Sequence, residues 1–248
     1  MSYFKAFPKT FYQYGGGSER VLTQNLSAYA DILDEVKEAA AFYQDYYIRD
    51  GERPDHVADT LYGNPELHWV LYLMNDNIRQ SGWPLSNKDL TSKILEDFNN
   101  EILITRDPEL YLKFNIGQEV YSYINSQDEI IPVGTVVHRD LDLGQLTIEV
   151  REGSFIGKTS INGQTLSGLL TMELTAAVAE YNAPHHYVDG DGEVVDIDPY
   201  SVISDLVTPV TNTIHYVQQN DALRKIRVLR PANVNTVVKA FRDAVKSQ

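Results

Sequence analysis

Cysteine is absent from this sequence of 248 residues, and its absence excludes several chemistries at once. Without a thiol there is no disulfide, no cysteine-ligated zinc and no cysteine nucleophile. Disulfides persist in oxidising compartments and are rare in reducing ones. We therefore expect the protein to be made in a reducing cytoplasm.

Basic residues and long apolar runs are also scarce. Lys and Arg number 21 against 35 Asp and Glu, which gives a net charge of −14 at pH 7. An acidic chain repels a phosphate backbone and an anionic lipid surface, so we expect neither nucleic acid nor a membrane as partner. No segment approaches the roughly 18 apolar residues of a membrane span, and residues 1–11 lack the apolar run of a signal peptide.

Tyrosine, in contrast, is abundant. There are 16 Tyr, against 8 Phe and 2 Trp. Tyrosine carries a large apolar ring with a polar tip, so it is favoured where a surface is buried against a partner. The composition therefore indicates a protein with extensive contact surfaces.

An aromatic segment stands at the beginning of the sequence, ahead of Gly15-Gly16-Gly17. Three successive glycines make an ordered element costly in entropy. We predict that residues 1–20 form an extended arm and linker that docks on another protein rather than on the chain's own core. The interface candidates in this arm are Tyr3, Phe4, Phe7, Phe11 and Tyr12.

Residues 21–100 have the apolar spacing of helices. Ser27 is placed to cap a helix predicted over residues 27–47, with apolar side chains three and four positions apart. Gly51 and Pro54 then stop it.

A pair of shorter helices is predicted next. The first covers residues 55–61. Asn64 followed by Pro65 has the cap and first-turn pattern of a second helix, over residues 65–75. The two form a predicted helix–turn–helix.

Residues 101–168 differ in character from the helical part. Segments 118–125, 130–138 and 145–151 are rich in Val, Ile, Tyr and Thr and are separated by turn residues. This pattern predicts a small antiparallel β-domain inserted into the scaffold.

Residues 169–248 are predicted to complete the scaffold. Asp189-Gly190-Asp191-Gly192 has the pattern of a hairpin turn, a helix is predicted to begin near Pro199 or Ser201, and residues 221–229 form a basic strand or helix end. A last helix, capped by Asn233 or Asn235, has an apolar face made of Val234, Val237, Val238, Phe241 and Val245. The predicted fold class is α+β.

The usual signatures of catalysis and ligand binding are missing. The run that begins at Asp189 does not place Gly and Glu where a calcium loop needs them. Adjacent side chains on a strand point to opposite faces, so His185 and His186 are not expected to reach one metal ion. Neither a nucleophile elbow nor a phosphate-binding loop occurs, and no carboxylate pair stands out. We predict no catalytic residue, no metal, no cofactor and no enzymatic activity.

A series of short motifs lies in residues 42–83. They are Tyr46-Tyr47-Ile48-Arg49-Asp50-Gly51-Glu52-Arg53-Pro54, Tyr62-Gly63-Asn64-Pro65, Trp69-Val70, Asn75-Asp76-Asn77 and Gly82-Trp83. This series resembles the baseplate wedge protein encoded by gene 53 in T-even-type contractile-tail phages. The resemblance covers residues 42–83 and, more loosely, residues 213–245.

This resemblance implies a structural subunit that clamps neighbouring wedges of a tail baseplate. The implied partners are the inner-ring wedge proteins and the sheath-initiating subunit, with six copies or a multiple of six per baseplate. The protein would be part of the virion after assembly in the host cytoplasm. Further interface candidates are Tyr62, Asn64, Pro65, Trp69, Trp83, Arg224 and Phe241.

The helix–turn–helix also resembles a LysM module, which implies an alternative function. LysM modules bind glycan polymers of the cell wall. The alternative is therefore a peptidoglycan-binding module or an accessory of a cell-wall hydrolase. Binding to insoluble peptidoglycan distinguishes this alternative from the structural role.

Overall fold

The computed structural model describes residues 7–13, 20–25, 41–122, 132–165 and 168–246. The chain forms two compact units. Unit 1 is made of residues 1–88 and 219–248, and unit 2 of residues 89–218. In the described ranges, no helix combines the length and the apolar character that crossing a bilayer requires.

The described elements are numbered in chain order. The strands are β1 (Lys9–Gln13), β2 (Arg20–Gln24), β3 (Tyr43–Tyr47), β4 (Glu101–Ile104), β5 (Glu119–Tyr121), β6 (Val133–Asp140), β7 (Gln145–Glu152), β8 (Ser160–Thr165), β9 (Gly168–Glu173), β10 (Ala176–Ala179), β11 (Pro184–Val188), β12 (Val194–Val195), β13 (Thr208–Thr211) and β14 (Lys225–Leu229). The α-helices are α1 (Pro54–Tyr62), α2 (His68–Met74), α3 (Asp76–Ser81), α4 (Asn87–Asp97), α5 (Asn212–Ala222) and α6 (Pro231–Lys246). Single 3-10 turns cover Pro65–Leu67 and Glu180–Asn182.

Unit 1 is built on a pair of strands that are far apart in sequence. Strands β3 and β14 pair antiparallel, from Tyr43 opposite Leu229 to Tyr47 opposite Lys225. Helices α1 and α2 follow β3, and α6 follows β14. Apolar side chains from these strands and helices form two core clusters, so the unit is held together by contacts between its two chain segments.

Residues 43–47 are a strand, so the helix predicted over residues 27–47 is wrong over this part. The earlier part of that prediction, residues 27–40, lies outside the described residues. Tyrosine at 43, 46 and 47 fits helical spacing, but tyrosine is also favoured in strands. Pairing with β14 decides between the two conformations.

The helix–turn–helix pair is present where it was predicted. Helix α1 ends at Gly63, whose φ of 63° is left-handed and therefore suits a residue without Cβ. The Asn64 side chain accepts a hydrogen bond from the Glu66 N–H at 3.0 Å, and Pro65 begins the 3-10 turn that leads into α2. The predicted cap is therefore confirmed. The sequence patterns did not predict α3 and α4, which follow the pair.

Helix α6 confirms the predicted apolar face. Val234, Val237, Val238, Phe241 and Val245 recur at helical spacing and all are buried. The helix begins at Pro231 rather than at Asn233 or Asn235, because proline suits the first helical turn, where its missing N–H costs nothing.

Unit 2 contains a seven-stranded antiparallel sheet in the order β10-β4-β7-β6-β5-β8-β9. The unit has a core cluster of buried side chains, in which Phe114, Leu146 and Phe155 are fully buried. The sheet confirms the α+β class. The compact unit covers residues 89–218 and so extends beyond both ends of the predicted insertion at 101–168. On the C-terminal side, β9 and β10 complete the sheet.

A smaller sheet in unit 2 has the order β12-β11-β13. The hairpin turn predicted at residues 189–192 joins β11 to β12, and Asp189 Oδ1 accepts the N–H groups of Asp191 and Glu193. The helix predicted near Pro199 or Ser201 is wrong. Asp198 binds the backbone N–H of Tyr200 and the hydroxyl of Ser201, and this arrangement stabilises a turn instead of a helix.

Two glycines of unit 2 provide a matched test of this packing. A Cβ at Gly134 would lie 2.9 Å from the Glu149 carbonyl oxygen, 3.2 Å from the Phe155 ring and in collision with Ile148. A Cβ at Gly190 meets no atom within 4 Å. We expect Gly134→Ala to lower the free energy of unfolding by about 1–3 kcal/mol, and Gly190→Ala to change it by less than about 0.5 kcal/mol. Urea denaturation of both variants measures the difference, and equal stability of the two contradicts the packing described here.

Candidate functional site

The β1–β2 ribbon exposes apolar side chains on both of its faces. Phe11 lies opposite Leu22, and Tyr12 opposite Val21. Residues directly opposite each other in an antiparallel pair share a face, so each face of the ribbon carries one aromatic and one aliphatic side chain. All four side chains are between 49% and 67% exposed. We call these four residues the ribbon surface.

A ribbon of this kind has little stability of its own. An isolated two-stranded hairpin is marginally stable in water unless a third strand or a helix covers its apolar surface. With exposed fractions of 49–67%, the four side chains are only partly covered by the part of the chain that the structure describes. The ribbon surface is therefore the strongest candidate for a contact with another protein.

The structure divides the aromatic residues predicted for the arm. Phe11 and Tyr12 are exposed on strand β1. Phe7, in contrast, is buried in the same cluster as Trp69 and Phe241 of unit 1. The prediction that this segment does not pack on its own core is therefore wrong at Phe7. Tyr3 and Phe4 lie outside the described residues.

Trp69 and Phe241 lie in the core of unit 1. The Trp69 side chain is only 7% exposed, and its ring centroid lies 5.1 Å from that of Phe241. Tyr62 is half-buried and packs against the same cluster. These rings join helices α1, α2 and α6, which leaves Trp69 and Phe241 inaccessible to a partner.

Arg224 is also buried, with charged and polar partners inside unit 1. Its guanidinium donates hydrogen bonds to Asp50 at 3.1 Å, Asp221 at 3.0 Å and the Leu85 carbonyl at 3.1 Å. Both carboxylates are about half exposed, so the two ion pairs are partly solvated. Arg224 therefore joins the segment before β14 to the turn after β3.

The motif residues around Glu52 form a hydrogen-bonded turn. The Glu52 carboxylate accepts the Tyr46 hydroxyl at 2.8 Å and the Arg49 N–H at 3.0 Å. Trp83 donates its indole N–H to the Glu52 carbonyl at 2.6 Å. Burial, together with this negatively charged neighbour, raises the pKa of Tyr46 to about 12. Much of the motif thus maintains the fold of the turn and the half-buried position of Trp83.

The turn between α1 and α2 is the most accessible part of the motif. Gly63, Pro65 and Glu66 are exposed, and Asn64 is half-buried with its side chain engaged in the cap. Of the candidates predicted in unit 1, Pro65 is therefore on the surface together with Phe11 and Tyr12.

Two buried asparagines of unit 1 make structural hydrogen bonds that the sequence does not predict. Asn75 donates to the Leu71 and Arg227 carbonyls at 2.8 and 2.7 Å and accepts the Arg227 N–H at 2.7 Å. Asn220 exchanges two hydrogen bonds with the backbone of Leu85. No local pattern marks these residues, because their partners are remote in sequence.

The histidines of unit 2 also depart from the prediction. His185 and His186 are neighbours on β11, yet their Nδ1 atoms lie 2.9 Å apart. The expectation of opposite faces is wrong here, because the pairing register of β11 shifts between Pro184 and His186. His215, on α5, stacks on His185 with a centroid distance of 3.9 Å.

Comparison with known proteins supports the resemblance seen in the motif. Residues 12–129 match the model of the family described as Base plate wedge protein 53. A stretch of 103 residues is 33% identical to "Baseplate wedge protein gp53" of Enterobacteria phage T4. That stretch is 40% of this chain and 51% of the phage T4 protein, so the chain spans about half the length of this curated relative.

The extent of the family match corrects one detail and leaves another as a prediction. The match continues to residue 129, so it includes the first part of the segment 101–168 that the motif resemblance did not cover. The looser resemblance over residues 213–245 lies outside the matched range. The resemblance to LysM modules stays a prediction.

Alanine substitution of one buried and one exposed aromatic residue tests whether Trp69 belongs to the core and Phe11 to the ribbon surface. We expect Trp69→Ala to lower the free energy of unfolding by about 3–5 kcal/mol, because it leaves a cavity beside Phe241. Phe11→Ala, at an exposed position, is expected to change it by less than about 0.5 kcal/mol. Chemical denaturation of the two variants makes the comparison. A large loss from Phe11→Ala would contradict its assignment to an uncovered surface.

Proposed function

We propose that this chain is a structural subunit of the baseplate wedge of a contractile phage tail, and hence a component of the virion. The match of residues 12–129 to the baseplate wedge family is the observation that carries the proposal. The similarity to the phage T4 wedge protein supports it. Because the matched family is structural, we propose no enzymatic activity for this chain. The ribbon surface is the proposed site of contact with other baseplate proteins.

We further propose that the protein clamps neighbouring wedge subunits together through the ribbon surface. A side chain buried at an interface contributes through the apolar area that it removes from water, at about 25 cal/mol per Å². Aromatic residues are enriched among the side chains that dominate such interfaces. Phe11 and Tyr12 lie on opposite faces of the ribbon, so each face has its own aromatic anchor.

A ribbon with two apolar faces suits insertion between two partners better than docking on one flat surface. Each face then packs on a different subunit, which is the geometry that a clamp requires. The proposed partners are the inner-ring wedge proteins and the sheath-initiating subunit, with six copies or a multiple of six per baseplate. Assembly would occur in the host cytoplasm.

The alternative function, binding of cell-wall glycan, has one structural feature in its favour. The turn Gly63-Asn64-Pro65-Glu66 is largely exposed between α1 and α2, in a strand–helix–helix–strand arrangement completed by β14. Saturable binding of the purified chain to insoluble peptidoglycan, abolished by Pro65→Ala with Glu66→Ala, would favour this function over the clamp.

Substitutions on the ribbon test the clamp more sharply than deletion of the arm. Removing residues 1–17 also removes the buried Phe7, so a defect after deletion has two explanations. We propose Phe11→Thr with Leu22→Thr, which removes the apolar side chains from one face. Threonine preserves the preference for a strand.

We expect this double variant to weaken binding to the co-expressed wedge proteins of the same phage by about 100-fold, since each lost apolar contact contributes about 1.5 kcal/mol or more. Co-purification and analytical ultracentrifugation measure the loss. The matched control is Val202→Thr with Leu206→Thr, whose native side chains are 77% and 82% exposed in unit 2. Normal assembly by a folded ribbon variant, or equal loss by the control, would overturn the clamp.

A further inference from the structure

Three imidazole rings come together in unit 2, apart from the ribbon surface. His185, His186 and His215 each present a ring nitrogen, and these atoms all lie within 4.8 Å of one another. His186 lies edge-on to the other two rings, with centroid distances of 5.1 Å to His185 and 5.5 Å to His215. This cluster contains half of the six histidines in the sequence.

Two local features of the fold bring these residues together. The first is the register shift between Pro184 and His186, which rotates neighbouring side chains toward each other. The second is that β13, which pairs with β11, leads directly into α5. His215 lies in the first turn of that helix and is therefore close to β11.

Several hydrogen bonds fix the start of helix α5 beside β11. The Asn212 N–H donates to the Ala183 carbonyl at 3.0 Å, and the Asn212 side chain donates to the Glu180 carbonyl at 2.7 Å. The Thr213 hydroxyl donates to the Tyr181 carbonyl at 2.7 Å. Hydrogen bonds to the backbone just before β11 therefore hold His215 near that strand without involving its own ring.

We infer that His185, His186 and His215 form a binding site for a divalent transition-metal ion of the zinc type. Neutral imidazole is the commonest metal ligand in proteins and suits zinc, copper and nickel. Calcium and magnesium prefer oxygen ligands, so a cluster of three imidazoles selects against them.

The distances are compatible with coordination after a small rearrangement. Zinc–nitrogen bonds of about 2.0–2.1 Å in a tetrahedral site place ligand nitrogens about 3.3 Å apart. The Nδ1 atoms of His185 and His186 are at 2.9 Å. The rings of His185 and His215 are stacked with an angle of 17° between their planes. Lone pairs in nearly parallel planes cannot both point at one ion, so one of the two rings must rotate before both can bind it. His185 is exposed and has room for this rotation.

The surroundings of the cluster favour a cation. His185 and His186 line a cleft of about 650 Å³ together with Asp140. The Asp140 carboxylate adds negative charge to the lining of this cleft. Three protein ligands leave a fourth position open to water or to a side chain of another subunit. Metal binding here would tie the start of α5 to β11.

Calorimetric titration of the untagged, chelator-treated full chain with ZnCl₂ tests the inference. We expect one equivalent to bind, and His186→Ala and His215→Ala each to weaken binding by at least about 100-fold, because loss of a ligand exceeds the effect of losing a supporting group. His56→Ala, an exposed histidine of unit 1, is the matched control and should bind as the native chain does. Absence of saturable binding by the native chain, or unchanged binding by the His215 variant, would overturn the inference.

Cobalt absorption gives a second measurement that does not depend on the stability of the alanine variants. Co²⁺ at a nitrogen-ligated site is expected to produce visible absorption that saturates at one equivalent and disappears in His215→Gln. Circular dichroism shows whether that variant remains folded. Asp140→Asn retains the oxygen that accepts the N–H groups of Asp142 and Leu143 and is expected to weaken binding about 10-fold. Retention of the cobalt spectrum in folded His215→Gln would contradict the site.

Discussion

The pairing of β3 with β14 is the interaction on which unit 1 depends. The helix pair formed by α1 and α2 is too small to bury its own apolar side chains. Strand β14 and helix α6 pack against the helix pair and bury these side chains. Asn75 also donates a hydrogen bond to the carbonyl of Arg227 on β14, 152 positions away in the sequence. The helix pair therefore buries its apolar side chains against the last part of the described chain.

This closure also explains how a large segment can interrupt the unit. The entropic cost of closing a loop grows slowly with its length, so a segment that folds around its own core adds little to the cost of pairing β3 with β14. Unit 2 has such a core, with Phe114, Leu146 and Phe155 fully buried.

The features predicted from sequence are those that local chemistry determines. The Asn64 cap, the left-handed Gly63, the hairpin at Asp189 and the apolar face of α6 all depend on residues within one or two turns of each other. The strand at Tyr43–Tyr47, the burial of Phe7 and the bonds of Asn75 depend on partners far along the chain. Likewise, the approach of His185 to His186 requires a register shift that only the paired strand reveals.

The central claim is that the chain is a structural part of a contractile tail baseplate, with the ribbon surface covered in the assembled particle. Cryo-electron microscopy of intact tails, combined with quantitative mass spectrometry of the same particles, measures this most directly. The account predicts six copies or a multiple of six in the baseplate, with Phe11 and Tyr12 buried against two neighbouring subunits. Intact tails that lack this chain, or in which the ribbon surface faces solvent, would contradict it.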